Sequence, residues 1–114
     1  MTTKELMKSG LFEVVHAGKE GDKTLSTPFC CDLLSLAMGK APRDCAWITV
    51  MGNVNALAVA VLVHAACVIL AEGVLPDEET VKKAREQEIT LLKTDLPVFE
   101  AAMKVYRMIY NDPG

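Results

Sequence analysis

The chain has 114 residues, of which 51% are hydrophobic and 24% are charged, and its formal net charge is −3 at pH 7. This length predicts one domain, residues 1–114, which can bury a core without disulfides or metals, and the hydrophobic content excludes disorder. Acidic and basic residues are mixed along the chain and aromatic residues are few. We therefore expect no nucleic-acid partner, since neither a basic face nor a base-stacking surface is indicated.

Targeting and redox signals are weak. Residues 1–5 are polar and include an acid, which predicts no signal peptide and a cytoplasmic location. Residues 54–71 reach the length of a membrane span but lack flanking basic clusters and an aromatic belt, so we expect a buried helix and strand and no membrane partner. The four cysteines show no C-x-x-C spacing. Reduced, mostly buried thiols are expected, and an iron–sulfur or redox role is the alternative.

Read in chain order, hydrophobic periodicity and turn residues predict ten short elements. The predicted helices cover residues 3–8, 33–40, 54–64, 77–88 and 97–110. The predicted strands cover residues 11–16, 24–31, 45–51, 67–70 and 89–92. Pro28 places the second strand at the edge of a sheet. Asp32, Asp77 and Asp95 each precede a helix, and capping of its first turn explains all three.

Two predicted helices carry large apolar side chains. The last one has a core-like stripe at Phe99, Met103, Tyr106 and Ile109 or Tyr110. The helix from Val54 to His64 has two stripes on nearly opposite sides: Val54, Leu57 and Val61, and then Val59, Leu62 and Val63. One stripe can pack on a sheet. The other predicts a homodimer through this helix, the alternative being cover by the amino-terminal half of the chain.

From residue 45 onward, short apolar strands alternate with helices, which is typical of a parallel sheet covered on both faces. The sequence therefore predicts an α/β fold: a three-layer domain with a small, mostly parallel sheet flanked by helices. Open sheets of this kind bind ligands at the carboxyl ends of their strands, next to helix amino ends that attract anions. The predicted ligand-binding residues at these ends are Gly52, Asn53, Glu72, Gly73, Thr94 and Asp95.

Catalytic signals are missing. Residues 18–24, Gly-Lys-Glu-Gly-Asp-Lys-Thr, do not have the spacing of a phosphate loop, and a hairpin turn is the better interpretation. His16 and His64 have no acid or nucleophile fixed beside them by the local sequence, and they do not complete a zinc pattern with the cysteines. We therefore expect no catalytic residue, no metal site, no cofactor and no enzymatic activity.

Several segments carry a family resemblance, and together they cover most of the chain. They are residues 46–49, 68–73, 76–79, 89–95 and 99–102, and residues 31–35 with Met38. In this order they resemble the DRTGG domain family, the last segment being similar to a variant in its small stand-alone members. The Asp-Arg-Thr-Gly-Gly string itself is absent, and Gly52-Asn53-Val54-Asn55 stands where a charged glycine loop would be expected.

The resemblance implies an α/β domain similar to the amino-terminal domain of HPr kinase. Such domains occur beside CBS domains and phosphate acetyltransferases in a regulatory role, and similar small proteins are encoded near iron hydrogenase genes in anaerobes. The function expected first is a non-catalytic regulatory or ligand-sensing domain that binds an adenine nucleotide or another small anion. The alternatives are an interaction subunit that acts on a partner enzyme, such as a hydrogenase system, and a small enzyme of unknown reaction.

Overall fold

The computed structural model describes residues 1–19 and 23–110. In these residues, strands form a five-stranded sheet in the order β1-β5-β4-β3-β2. The strands are β1 (Glu13–His16), β2 (Pro28–Cys30), β3 (Ala46–Thr49), β4 (Cys67–Leu70) and β5 (Thr90–Lys93). Strands β2 to β5 are parallel, and β1 pairs antiparallel with β5. The predicted α/β class and mostly parallel sheet are confirmed, and β2 lies at an edge, as Pro28 predicted.

Helices cover both faces of this sheet. They are α1 (Thr3–Lys8), α2 (Leu34–Lys40), α3 (Val54–Leu62), α4 (Glu78–Gln87) and α5 (Val98–Tyr110). On one face α2, α3 and α4 share a core with Trp47 and Leu91, and on the other α1 and α5 share a core with Ile48 and Leu92. The three-layer arrangement is thereby confirmed. Within the described residues, no helix combines the length and apolarity needed to cross a membrane.

The central strands β3 and β4 are buried along their whole length, because all four side chains of each are buried. The parallel register pairs Thr49 with Leu70 and Leu70 with Lys93, so β3, β4 and β5 end level with one another. The loops that follow these strands consequently start at one border of the sheet, which we call the carboxyl edge.

Helix α3 packs between α2 and α4. Leu57 and Val59 come from its two predicted stripes, and both are buried; Val61 and Val63 are half-buried, and Leu62 is 64% exposed. The sheet and the two neighbouring helices thus cover much of both stripes. Dimerisation through α3 stays a prediction.

The predicted core face of α5 is wrong for its aromatic members, whereas Ile109, the alternative to Tyr110, packs against the core. Ala101 and Val105 are the buried residues of α5, while Phe99, Tyr106 and Tyr110 are exposed. Both sets recur at helical spacing, so periodicity alone could not choose between them. The smaller side chains face the sheet, where α5 contacts β2 and β3.

Two predicted helix caps have different outcomes. Asp32 does not cap α2, which begins without a side-chain cap. Its Oδ1 instead accepts hydrogen bonds from Thr49 Oγ1 at 2.6 Å and from the amide of Val50 at 3.1 Å, which ties the loop before α2 to the end of β3. Asp77 caps α4 as predicted, by accepting a hydrogen bond from the amide of Thr80 at 2.8 Å. Hydrogen bonds from Thr80 hold the pKa of Asp77 below its ordinary value.

All four cysteines are free thiols, of which Cys45 and Cys67 are buried, while Cys30 is exposed and Cys31 is partly exposed. The expectation of mostly buried thiols therefore holds for two of the four. Burial raises the pKa of Cys45 to about 11 and that of Cys67 to about 12. Both side chains are therefore protonated near neutral pH and react poorly as nucleophiles.

We predict that the folded protein at about pH 8 exposes at most two thiols to Ellman's reagent. Cys45 and Cys67 are inaccessible there, and their raised pKa keeps them protonated. Absorbance of the released thiolate measures the count, and concentrated guanidinium should reveal all four. The double variant Cys30→Ser, Cys31→Ser should show no fast-reacting thiol in the folded state. Rapid reaction of that variant would contradict the burial of the other two cysteines.

Candidate functional site

The carboxyl edge contains a groove of about 300 Å³ beside β1, β5 and the loop that follows β4. We call it the edge groove. Its lining residues are Leu11, Glu13, Gly73, Val74, Leu75, Lys93, Thr94 and Asp95. Three of the six residues predicted from sequence, Gly73, Thr94 and Asp95, therefore line one groove.

The other three predicted residues have structural roles outside the groove lining. Asn53 caps α3, because its Oδ1 accepts a hydrogen bond from the amide of Ala56 at 3.0 Å. Glu72 contacts the start of α5, where its Oε2 accepts a hydrogen bond from the amide of Val98 at 2.9 Å. The carboxylate that accepts from the first amide of α5 is thus that of Glu72, whereas the sequence predicted a cap from Asp95. Gly52 lies beside the start of α4.

The loop after β4 is tied to the loop after β5 by backbone hydrogen bonds. The amide of Gly73 donates to the carbonyl of Thr94 at 3.0 Å, and the amide of Glu72 donates to the carbonyl of Leu96 at 2.8 Å. Glu72 and Gly73 both have positive φ, at 60° and 75°. A Cβ on Gly73 would lie 3.3 Å from Asp95 Oδ1, so a residue without a side chain fits this position best.

The opposite side of the groove carries an ion pair between Lys93 Nζ and Glu13 Oε2 at 2.8 Å. Both side chains are partly exposed to solvent, so the pair contributes little to stability and can open at small cost. Neither residue was predicted from the sequence. Lys93 ends β5, and Glu13 reaches it through the antiparallel pairing of β1 with β5, which no local sequence pattern specifies.

The groove combines charged, hydroxyl and apolar groups. The carboxylates of Glu13 and Asp95 can accept hydrogen bonds from amino or hydroxyl groups, and Lys93 can attract a phosphate. Leucine and valine side chains supply an apolar wall. Within residues 1–19 and 23–110, His, Cys, Asp and Glu side chains nowhere form a group of three that could hold a metal ion.

A second cavity, of about 250 Å³, is lined by residues that include Lys19, His64 and Glu88. Its charges are mixed, because Lys19 and Lys23 line it together with Glu88, and the carboxyl ends of α3 and α4, which carry partial negative charge, border it. It contains none of the predicted site residues. The turn predicted over residues 17–23 borders it too, but residues 20–22 lie outside the described part of the chain.

Comparison with known proteins identifies the fold but no sequence relative: no protein family matches the chain, and no curated protein does. The fold is similar to the crystal structure of the CBS and DRTGG domains of the regulatory region of Clostridium perfringens pyrophosphatase, complexed with the activator diadenosine tetraphosphate. The TM-score is 0.72 over 92% of this chain, at 13% sequence identity. The chain spans 45% of that structure's length, and the likeness supports a DRTGG-like fold.

We predict that Gly73→Ala lowers the free energy of unfolding by about 1–2 kcal/mol, because an L-residue is strained at this positive φ. The matched control is Gly39→Ala. Gly39 lies in α2, and a Cβ at this position would meet no other atom within 4 Å, so this change should stabilise by roughly 0.4–1 kcal/mol. Urea denaturation measures both. Equal effects of the two substitutions would contradict the strained turn beside the groove.

We also predict that Glu72→Ala lowers the free energy of unfolding by about 1 kcal/mol, because the start of α5 loses its carboxylate. Glu72→Gln keeps a hydrogen-bond acceptor and should lose less. Glu86→Ala is the control, since Glu86 makes an exposed contact with Lys82 at 4.0 Å and its removal should change little. A Glu72→Ala protein as stable as wild type in urea would show that this contact does not hold the helix.

Proposed function

We propose that this chain is a regulatory domain that senses an adenine nucleotide in the edge groove and has no catalytic activity of its own. The observation that carries the proposal is the convergence of Gly73, Thr94 and Asp95 with Lys93 in one groove. This groove lies at the carboxyl ends of parallel strands, where open α/β sheets bind ligands. The regulatory role is supported by the similar fold of a pyrophosphatase regulatory region that was crystallised with a nucleotide activator.

The charges of the groove favour a nucleotide over a simple anion. Glu13 and Asp95 would repel an isolated phosphate, and Lys93 supplies one positive charge against these two. An adenosine group carries amino and hydroxyl donors, and the carboxylates can accept hydrogen bonds from them. Lys93 can break its ion pair with Glu13 and contact a phosphate instead. The apolar wall near Leu75 suits the face of a purine ring.

Ligand binding in the edge groove can affect the position of α5 through the loop after β4. Gly73 lines the groove, and the adjacent Glu72 holds the first amide of α5 at 2.9 Å. A nucleotide that orders this loop therefore also favours one position of the α5 amino end. This link gives a sensing domain a helix through which the bound state can be transmitted.

Two interaction roles remain as proposals. The first is a subunit that acts on a partner enzyme, such as one of a hydrogenase system, and the observation that favours it is the exposure of Leu33, Leu36 and Met38 in and beside α2. The second is the homodimer through the helix from Val54 to His64, for which Leu62 is the exposed large side chain of α3.

We predict that an adenine nucleotide raises the thermal unfolding temperature of the wild-type protein. At 100 times its dissociation constant, a ligand that binds only the folded state adds roughly 2.7 kcal/mol of stability. AMP, ADP, ATP and diadenosine tetraphosphate are tested beside inorganic phosphate and pyrophosphate. Stabilisation by phosphate or pyrophosphate alone would contradict the nucleotide assignment, and stabilisation by none of these compounds would contradict the sensing role.

Variants locate the binding site. Lys93→Gln removes the positive charge and Asp95→Ala removes a hydrogen-bond acceptor, so each should weaken nucleotide binding about tenfold, which calorimetric titration measures, while urea denaturation shows that the fold is kept. Lys82→Gln is the matched control, because it removes a lysine from another ion pair on the surface, with Glu86. Unchanged affinity in both groove variants would place the ligand elsewhere.

A further inference from the structure

Helix α5 carries an exposed apolar surface on the side away from the sheet. We call it the aromatic stripe, and it consists of Phe99, Met103, Tyr106 and Tyr110. Phe99 is 73% exposed, Tyr106 and Tyr110 are also exposed, and Met103 is half-buried. The rings of Tyr106 and Tyr110 lie with their centroids 4.5 Å apart. These side chains are not needed for the core, which α5 contacts through Ala101 and Val105.

The spacing of the stripe identifies the shape that fits it. Successive members are four, three and four residues apart, which is the seam of a helix that packs lengthwise against another helix with the same repeat. In an antiparallel pair of identical helices, Phe99 lies level with Tyr110 of the second copy and Met103 lies level with Tyr106 of the second copy. One two-fold axis therefore matches all four members at once, as a self-complementary interface requires.

The charges beside the stripe select the same arrangement. Glu100 and Arg107 are exposed and lie along one side of the stripe, seven residues apart. Antiparallel pairing brings Glu100 of one copy close to Arg107 of the other, twice per dimer. Parallel pairing would set this charged side against the uncharged side of the other helix, so no such ion pair could form.

We propose that the aromatic stripe of α5 is the contact between two copies of this chain in an antiparallel, two-fold dimer. A helix of 13 residues is about 20 Å long, so two such helices bury less than a standard stable interface. We therefore expect a weak dimer whose formation depends on protein concentration. This dimer is independent of the edge groove and uses a different surface from the contact predicted for α3.

Sedimentation equilibrium over micromolar to millimolar concentrations of the full chain tests the contact. Wild type should reversibly dimerise, Tyr106→Glu should weaken the dimer at least about tenfold, and Leu62→Glu on α3 should leave it intact. Circular dichroism confirms folding, and Tyr106→Ser provides a milder second substitution. A wild type that stays monomeric, or a dimer lost in Leu62→Glu but kept in Tyr106→Glu, would overturn the proposal.

A charge exchange tests the antiparallel direction. Glu100→Arg and Arg107→Glu should each weaken the dimer severalfold, because each sets like charges against each other across the interface. The double variant Glu100→Arg, Arg107→Glu should restore the wild-type dissociation constant. Single variants that dimerise as wild type does, or a double variant as weak as the singles, would contradict this arrangement.

Discussion

All side chains of β3 and β4 are buried, so the two faces of these strands need cover from helices on both sides. Parallel strands cannot be joined by a tight hairpin, and each connection therefore crosses over a face of the sheet, here through α3 and α4. The register then makes β3, β4 and β5 end at the same level. The three-layer fold and the convergence of loops at the carboxyl edge both follow from this burial.

Three polar side chains at the carboxyl edge hold the loops together. Asp32 binds the end of β3, Asn53 caps α3, and Glu72 binds the start of α5. A polar residue after a parallel strand is therefore weak evidence for a ligand on its own. The stronger evidence is the groove that Lys93 and Asp95 line, in which charged side chains stand beside an apolar wall.

The sequence predicted best where local chemistry decides the structure. Four apolar residues followed by a turn located β4 to the residue, and Asp77 after a proline located the start of α4. The predictions from sequence failed where a partner that is distant in the chain determines the structure. Asp32 could either cap α2 or bind the distant end of β3, and it binds β3. Phe99 lies on one of two apolar faces of α5, and that face is the exposed one. Glu13 enters the groove through a long-range strand pairing, so the sequence could not place it there, whereas Gly73, Thr94 and Asp95 were predicted from their positions after strands.

We propose that the edge groove is where this domain binds a nucleotide. Amide chemical shifts of the nitrogen-15-labelled protein, recorded during titration with ATP, test it most directly. We expect the largest changes at Gly73 and at Lys93 to Asp95, smaller changes at the start of α5, and in Lys93→Gln a titration midpoint at about tenfold higher ATP concentration. Changes confined to the second cavity, around His64 and Glu88, would contradict the account.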